Sequence, residues 1–207
     1  MSTGFIGKEL QRLKDEGFYR RLRRVDGAQD STVMLDGREV INFSSNNYLG
    51  IANHPALAAG AKTAIDRYGC GSGASRLISG NMTLHEKLEG KLAEFKGTEA
   101  ALVFNSGFQA NTGILSTLAG EADVIFSDEL NHASIIDGCR LSRAQTQVYG
   151  HVALDQLETQ LKKASSAARK LIVTESIFSM DGDEAPLVGI VELAEKYQAM
   201  VMVDEAH

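Results

Sequence analysis

The sequence predicts an α/β fold: a mainly parallel sheet flanked by helices, preceded by an N-terminal helix and a hairpin arm. Two patterns carry that expectation. From residue 55 onward, segments of helical periodicity alternate with short apolar runs, as crossover units of a parallel sheet require. Before residue 55 the periodicity is different, with one amphipathic stretch and then two short runs joined by Asp36-Gly37, a favoured two-residue hairpin turn. The length, 207 residues with 43% of them apolar, is enough for a sizeable core without disulfide or metal staples.

Phe5, Ile6, Leu10, Leu13, Phe18 and Leu22 recur near helical spacing and predict a helix over 5–24. Its basic end, Tyr19-Arg-Arg-Leu-Arg-Arg24, reads either as a solvated helix terminus or as a source of one arginine for a ligand carboxylate or phosphate. The hairpin follows over Val33–Leu35 and Glu39–Phe43, then a polar loop, Ser44–Gly50. Helices are expected at 55–68, 82–96, 107–119, 133–142, 154–164 and 187–198, the second with a capping box Thr83-x-x-Glu86. Strands are expected at Ala100–Phe104, Val124–Phe126, Thr146–Tyr149, Leu171–Glu175 and Met200–Asp204. Residues 1–45 thus read as an arm and 46–207 as the main domain.

Composition excludes several classes. A formal net charge of −6 argues against coating nucleic acid or an anionic membrane. Two cysteines, Cys70 and Cys139, supply neither a disulfide framework nor a four-thiolate zinc site. No apolar run approaches the roughly 18 residues of a membrane span, and the N-terminus lacks the apolar core of a signal peptide. A cytoplasmic setting is the expectation.

Asp204-Glu-Ala-His207 resembles the metal-holding box of a nucleotide-driven helicase, but no phosphate-cradling GxxxxGK[ST] loop stands upstream. Gly69–Gly73 lacks GxGxxG spacing and follows no strand, so it is not a dinucleotide fingerprint. Asn105-Ser-Gly-Phe-Gln-Ala-Asn111 follows a predicted strand and opens a helix. It is either a phosphate site built on helix N–H groups or an ordinary turn with Ser106 as N-cap. His132 lies just past another strand, at a helix start, where α/β sheets place their crevices. A structural histidine is the competing reading. His54 and His151 have no supporting context and read as surface residues. Asp204 ends a buried strand, where a carboxylate needs a cation or donors, and His207 lies three residues on. A carboxylate facing a protonated ring nitrogen is what pyridoxal phosphate (PLP) needs to act as an electron acceptor; a metal ligand or a buried structural carboxylate are the alternatives.

Six segments in order along the chain resemble the α-oxoamine synthases, PLP enzymes of fold type I that condense an amino acid with an acyl-CoA. They are Asn42-Phe-Ser-Ser-Asn-Asn-Tyr-Leu-Gly50, Gly71-Ser-Gly-Ala-Ser-Arg-Leu-Ile-Ser-Gly-Asn81 with His85-Glu-x-Leu-Glu89, Ser106-Gly-Phe-Gln-Ala-Asn111, Asp128-x-x-Asn-His-Ala-Ser134, Glu175-x-x-Phe-Ser-Met-Asp-Gly182 and Val203-Asp-Glu-Ala-His207. The second and first of these look most like the members that join L-alanine to a pimeloyl thioester, either pimeloyl-CoA or pimeloyl carrier protein. A glycine-using relative with a short acyl-CoA, or a non-catalytic subunit retaining the fold, are the alternatives.

The resemblance implies the fold type I large domain, a homodimer, and roles by position. Ser106, Gly107 and Phe108 bind the PLP phosphate, His132 stacks on the ring, and Asp204 pairs with the ring nitrogen. Ser179 and His207 lie near the ring hydroxyl. Arg20 (with Arg21 or Arg23 as its alternatives), Asn47, His132 and Glu175 contact substrate, with His132, Asp204 and His207 as the catalytic set. The family's Schiff-base lysine and small C-terminal domain belong to a segment beyond His207, so the chain is expected to be an N-terminal part of the enzyme.

Overall fold

The computed structural model describes residues 4–164 and 166–207. They fall into two units, one ending at Gly80 and one running from Asn81 to His207.

The first unit opens with helix α1, Gly4–Asp15. The helix stops nine residues short of the expected 5–24. Gly17 takes φ +76°, and the Phe18 and Gly17 N–H groups turn back to the carbonyls of Leu13 (2.8 Å) and Lys14 (3.2 Å). That left-handed cap satisfies the terminal carbonyls and releases Phe18–Arg24 from the helix. The freed chain reaches a short strand β1, Val25–Asp26, that pairs with β2, Thr32–Leu35. Strand β2 pairs antiparallel with β3, Arg38–Ile41, in the register Leu35↔Arg38. Asp36 and Gly37 both have positive φ, as the two-residue turn demands. Helix α2, Pro55–Tyr68, has Pro at its first turn and is capped by His54, whose Nδ1 accepts from Ala56 N–H at 3.2 Å. His54 is a surface residue, as expected, and also caps the helix.

In the second unit helix α3 spans Thr83–Lys96. The expected box at Thr83 and Glu86 is shifted by one residue, since Met82 is the N-cap and its N–H donates to His85 Nδ1 at 3.0 Å. Residues 100–104 form no strand. Neither sheet of the described residues offers them a ladder partner, and Val103 N–H donates instead to Glu89 Oε1 at 2.9 Å.

Helix α4, Gly107–Leu118, leads to strand β4, Val124–Asp128, and three further strands then alternate with helices: α5 Ala133–Ser142, β5 Gln145–Tyr149, α6 Leu154–Lys163, β6 Lys170–Glu175, α7 Leu187–Tyr197 and β7 Met200–Asp204. The sheet order is β5-β4-β6-β7, all parallel. Strand β4 is buried throughout. Leu115, Ile125, Ile135, Cys139, Leu171 and Val173 make a core between one face of the sheet and α4–α5. Phe126, Tyr149, Leu157, Leu161, Ile172 and Ile190 make another, with α6 and α7. The chain leaves β4 towards β5 over the first face and leaves β6 towards β7 over the second. The order thus reverses between β4 and β6, and the C-terminal ends of these strands border a topological switch point, the usual place for a crevice. Among the described residues no helix is long and apolar enough to cross a membrane.

Candidate active site

Three strands deliver acidic ends to the switch point: Asp128 from β4, Glu175 from β6 and Asp204 from β7. Glu175 and Asp204 stand in register on adjacent strands. Glu175 is 4% exposed. Burial pushes its carboxyl above the ordinary value, a hydrogen bond from His132 N–H opposes this, and the neighbouring Asp204 charge pushes it further up. The His132 N–H reaches Glu175 Oε1 at 2.5 Å, and the Ser179 backbone also donates to this carboxylate.

The turn after β4 is pinned by Asn131, which is buried and donates through Nδ2 to Ser127 Oγ (2.9 Å) and to the Val173 carbonyl of β6 (2.8 Å). His132 follows as the N-cap of α5 and accepts at Nδ1 from Ser134 N–H, 3.2 Å away. The same nitrogen lies 2.7 Å from Ser134 Oγ. Asn111, one turn into α4, donates to both Ser134 Oγ (2.9 Å) and Asp204 Oδ2 (2.7 Å). Asp204 Oδ1 accepts from Ala206 N–H at 2.9 Å. His132, Glu175 and Asp204 are thereby joined in one network with Asn111 and Ser134, while Asn131 fixes the turn beside it. None of these last three stood out as a site residue in the sequence, although Asn111 and Ser134 each close one of the quoted motifs.

Ser106, Gly107 and Phe108 form the exposed head of α4, with Ser106 Oγ accepting from Gln109 N–H at 3.2 Å. The Gly107 and Phe108 N–H groups, at the start of a 12-residue helix, have no acceptor within the helix. Asn111 sits on that same helix, so the N–H groups at its head and the amide that holds Asp204 share one rigid element. Ser179 is exposed in the loop after β6, and His207 is half-buried just past β7. Glu205, between them in the strand-end motif, pairs with Lys96 of α3. Arg20 and Asn47 lie in the first unit. Arg20 is exposed outside any helix or strand, and Asn47 Oδ1 accepts from Ala52 N–H at 3.1 Å within its own loop.

His151 is not a surface residue without context. Its ring sits between two carboxylates, Nδ1 3.0 Å from Asp128 Oδ1 and Nε2 2.6 Å from Asp183 Oδ2, edge-on to Phe178 with centroids 4.4 Å apart. Burial disfavours its charge, but the hydrogen bonds and charges of Asp128 and Asp183 outweigh that and raise its pKa above the ordinary value. His151 therefore straps the loop after β6, which carries Ser179, to the end of β4.

Residues 38–207 match the family model described as aminotransferase class I and II. Among curated relatives, an 8-amino-7-oxononanoate synthase of Geobacter sulfurreducens is 57% identical over 99% of this chain and 52% of its own length. A synthase of the same name from Bacillus pumilus is 54% identical over 98% of this chain and 52% of its own. The chain thus spans about half the length of these curated relatives. Among solved structures, a serine palmitoyltransferase of Sphingomonas wittichii superposes with a TM-score of 0.89 at 38% identity, over 99% of this chain and 52% of that one. An 8-amino-7-oxononanoate synthase of Francisella tularensis superposes at 0.66 and 32% identity, over 81% and 45%. An acid-and-imidazole cluster at the switch point of a parallel sheet, the ordered motifs and these similarities agree: the chain belongs to the class I and II aminotransferase family, in the α-oxoamine synthase branch of fold type I PLP enzymes.

Proposed function

We propose that the intact protein is a PLP-dependent acyltransferase that condenses L-alanine with pimeloyl-CoA, or a pimeloyl carrier protein, to 8-amino-7-oxononanoate, with release of CO2 and the free thiol carrier. This is a step of biotin biosynthesis, and we propose that it runs in the cytoplasm. The observation that carries the reading is the Glu175–Asp204 pair at the mouth of the sheet, tied to His132. Two carboxylates side by side at buried strand ends call for a cationic partner, and a pyridinium supplies one. Identities of 57% and 54% to relatives named for this reaction support the substrate pair.

The residues present fit PLP. The N–H groups of Gly107 and Phe108, with Ser106, would hold its phosphate at the positive end of α4. Asp204 would hold the proton on the ring nitrogen, and His132 would cover one face of the ring. Ser179 and His207 would meet the ring oxygen. Glu175 shapes the substrate side and, through the His132 N–H, fixes the turn that carries His132. Arg20 and Asn47 of the first unit would bind substrate. When bound, PLP supplies an electron sink for the pair left at the amino acid's α-carbon. Residues 1–45 are proposed to act as an arm and 46–207 as part of the cofactor-binding domain. Exposed apolar side chains such as Phe43, Leu77, Phe95 and Met180 support further covering by more of the protein or a second copy, and we propose a homodimer.

The test is product formation. Intact protein with PLP, L-alanine and pimeloyl-CoA should yield 8-amino-7-oxononanoate by mass spectrometry, and much less with glycine and acetyl-CoA or serine and palmitoyl-CoA. Preferential turnover of either other pair would move the protein to a sister activity.

A further inference from the structure

We infer that Asn111, acting with Ser134, is a positioning residue that couples the Asp204 carboxylate to the proton position on His132. The inference deepens the function proposed above and rests on it. An ionised carboxylate only accepts, so the Asn111 atom 2.7 Å from Asp204 Oδ2 is its amide nitrogen. The second amide proton points to Ser134 Oγ, 2.9 Å away. A hydroxyl that accepts there has its single proton left for His132 Nδ1, at 2.7 Å. That nitrogen already receives the Ser134 N–H at 3.2 Å, so it carries a lone pair and the neutral ring bears its proton on Nε2.

Every bond in this chain has one direction. Asn111 is 7% exposed and Ser134 is 1% exposed, so water does not compete for either. A buried asparagine facing the helix partner of α4 would be costly without both of its acceptors. One amide therefore sets the angle of the group proposed to face the ring nitrogen and, through the Ser134 hydroxyl, reinforces the tautomer that the Ser134 N–H also favours in the group proposed to cover the ring. Neither Asn111 nor Ser134 need touch the cofactor.

The experiment uses the intact protein with 15N-labelled histidine, first without PLP. The wild type should show an unprotonated Nδ1 and a protonated Nε2 for His132. In Ser134→Ala and in Asn111→Ala the two ring nitrogen signals should move towards each other as the second tautomer gains population. With PLP bound, both variants should shift the pH midpoint of the cofactor's absorbance. They should also lower kcat about tenfold, the scale of one charge-assisted hydrogen bond, with KM for L-alanine little changed. Should Asn111→Ala not fold, Ser134→Ala, which removes a single oxygen, carries the test. Unmoved ring signals together with an unmoved absorbance midpoint would overturn the coupling. Failure of the wild type to bind PLP would overturn the proposed function instead, and the cofactor-free spectra would still decide the tautomer.

Discussion

Glu175 and Asp204 end adjacent parallel strands in register, and burial with the Asp204 charge close by pushes the Glu175 carboxyl upward. In the folded state Glu175 therefore resists ionisation. Its stability cost grows as pH rises from the ordinary carboxylate value through its raised one. Glu175→Gln keeps an oxygen for the His132 N–H and removes the charge, so its stability relative to wild type should improve across that pH window. Glu175→Ala leaves the His132 N–H without its acceptor and should cost about 1–3 kcal/mol in denaturant unfolding. Equal stability of the Ala and Gln variants would show that the 2.5 Å bond fixes nothing.

Helices α4 and α5 meet closely at Gly138, where an added Cβ would lie 2.7 Å from Leu115 Cδ1 and 3.0 Å from the Asn111 carbonyl. Gly138→Ala should destabilise by about 1–3 kcal/mol through overpacking, offset by at most about 1 kcal/mol of better helix propensity. The same push separates Asn111 from Ser134. Thermal unfolding should show a lower midpoint, and an unchanged or higher one would mean that the helices yield freely.

The His151 strap should be pH-dependent in a defined direction. Its pKa is raised by Asp128 and Asp183, so its contribution is complete below the ordinary histidine value near 6.5 and is lost as pH rises through the folded value. The stability gap between wild type and His151→Gln should narrow from pH 6 to pH 9. A gap that widens over that range would refute a charged His151 between the two carboxylates.

The parallel sheet and its helices were legible because periodicity and apolar runs record burial, and β4 and β6 are buried along nearly their whole length. Ala100–Phe104 has the composition of a strand, but composition cannot say whether a neighbour pairs with it. The end of α1 was missed because the apolar spacing continues past Gly17 while the backbone does not. Asp204 could be picked out because it ends a strand and His132 because it follows one at a helix start, whereas Glu175 was legible only through the family resemblance. His151 could not be picked out, since its carboxylates lie 23 and 32 residues away in the chain. Asn111 looks in sequence like any polar residue of a helix, and only the approach of β7 and α5 gives it two acceptors.

In the proposed chemistry Asp204 faces a cofactor ring nitrogen and holds its proton. In intact protein with PLP, deuterium exchange at the α-carbon of L-alanine measures the step that depends on it. Asp204→Asn keeps the shape but removes the charge that favours the protonated ring, an effect of about 1–3 pKa units for a close opposite charge. PLP should stay bound in this variant while α-exchange nearly disappears, with or without chelator. Exchange at the wild-type rate in Asp204→Asn would contradict this role for Asp204.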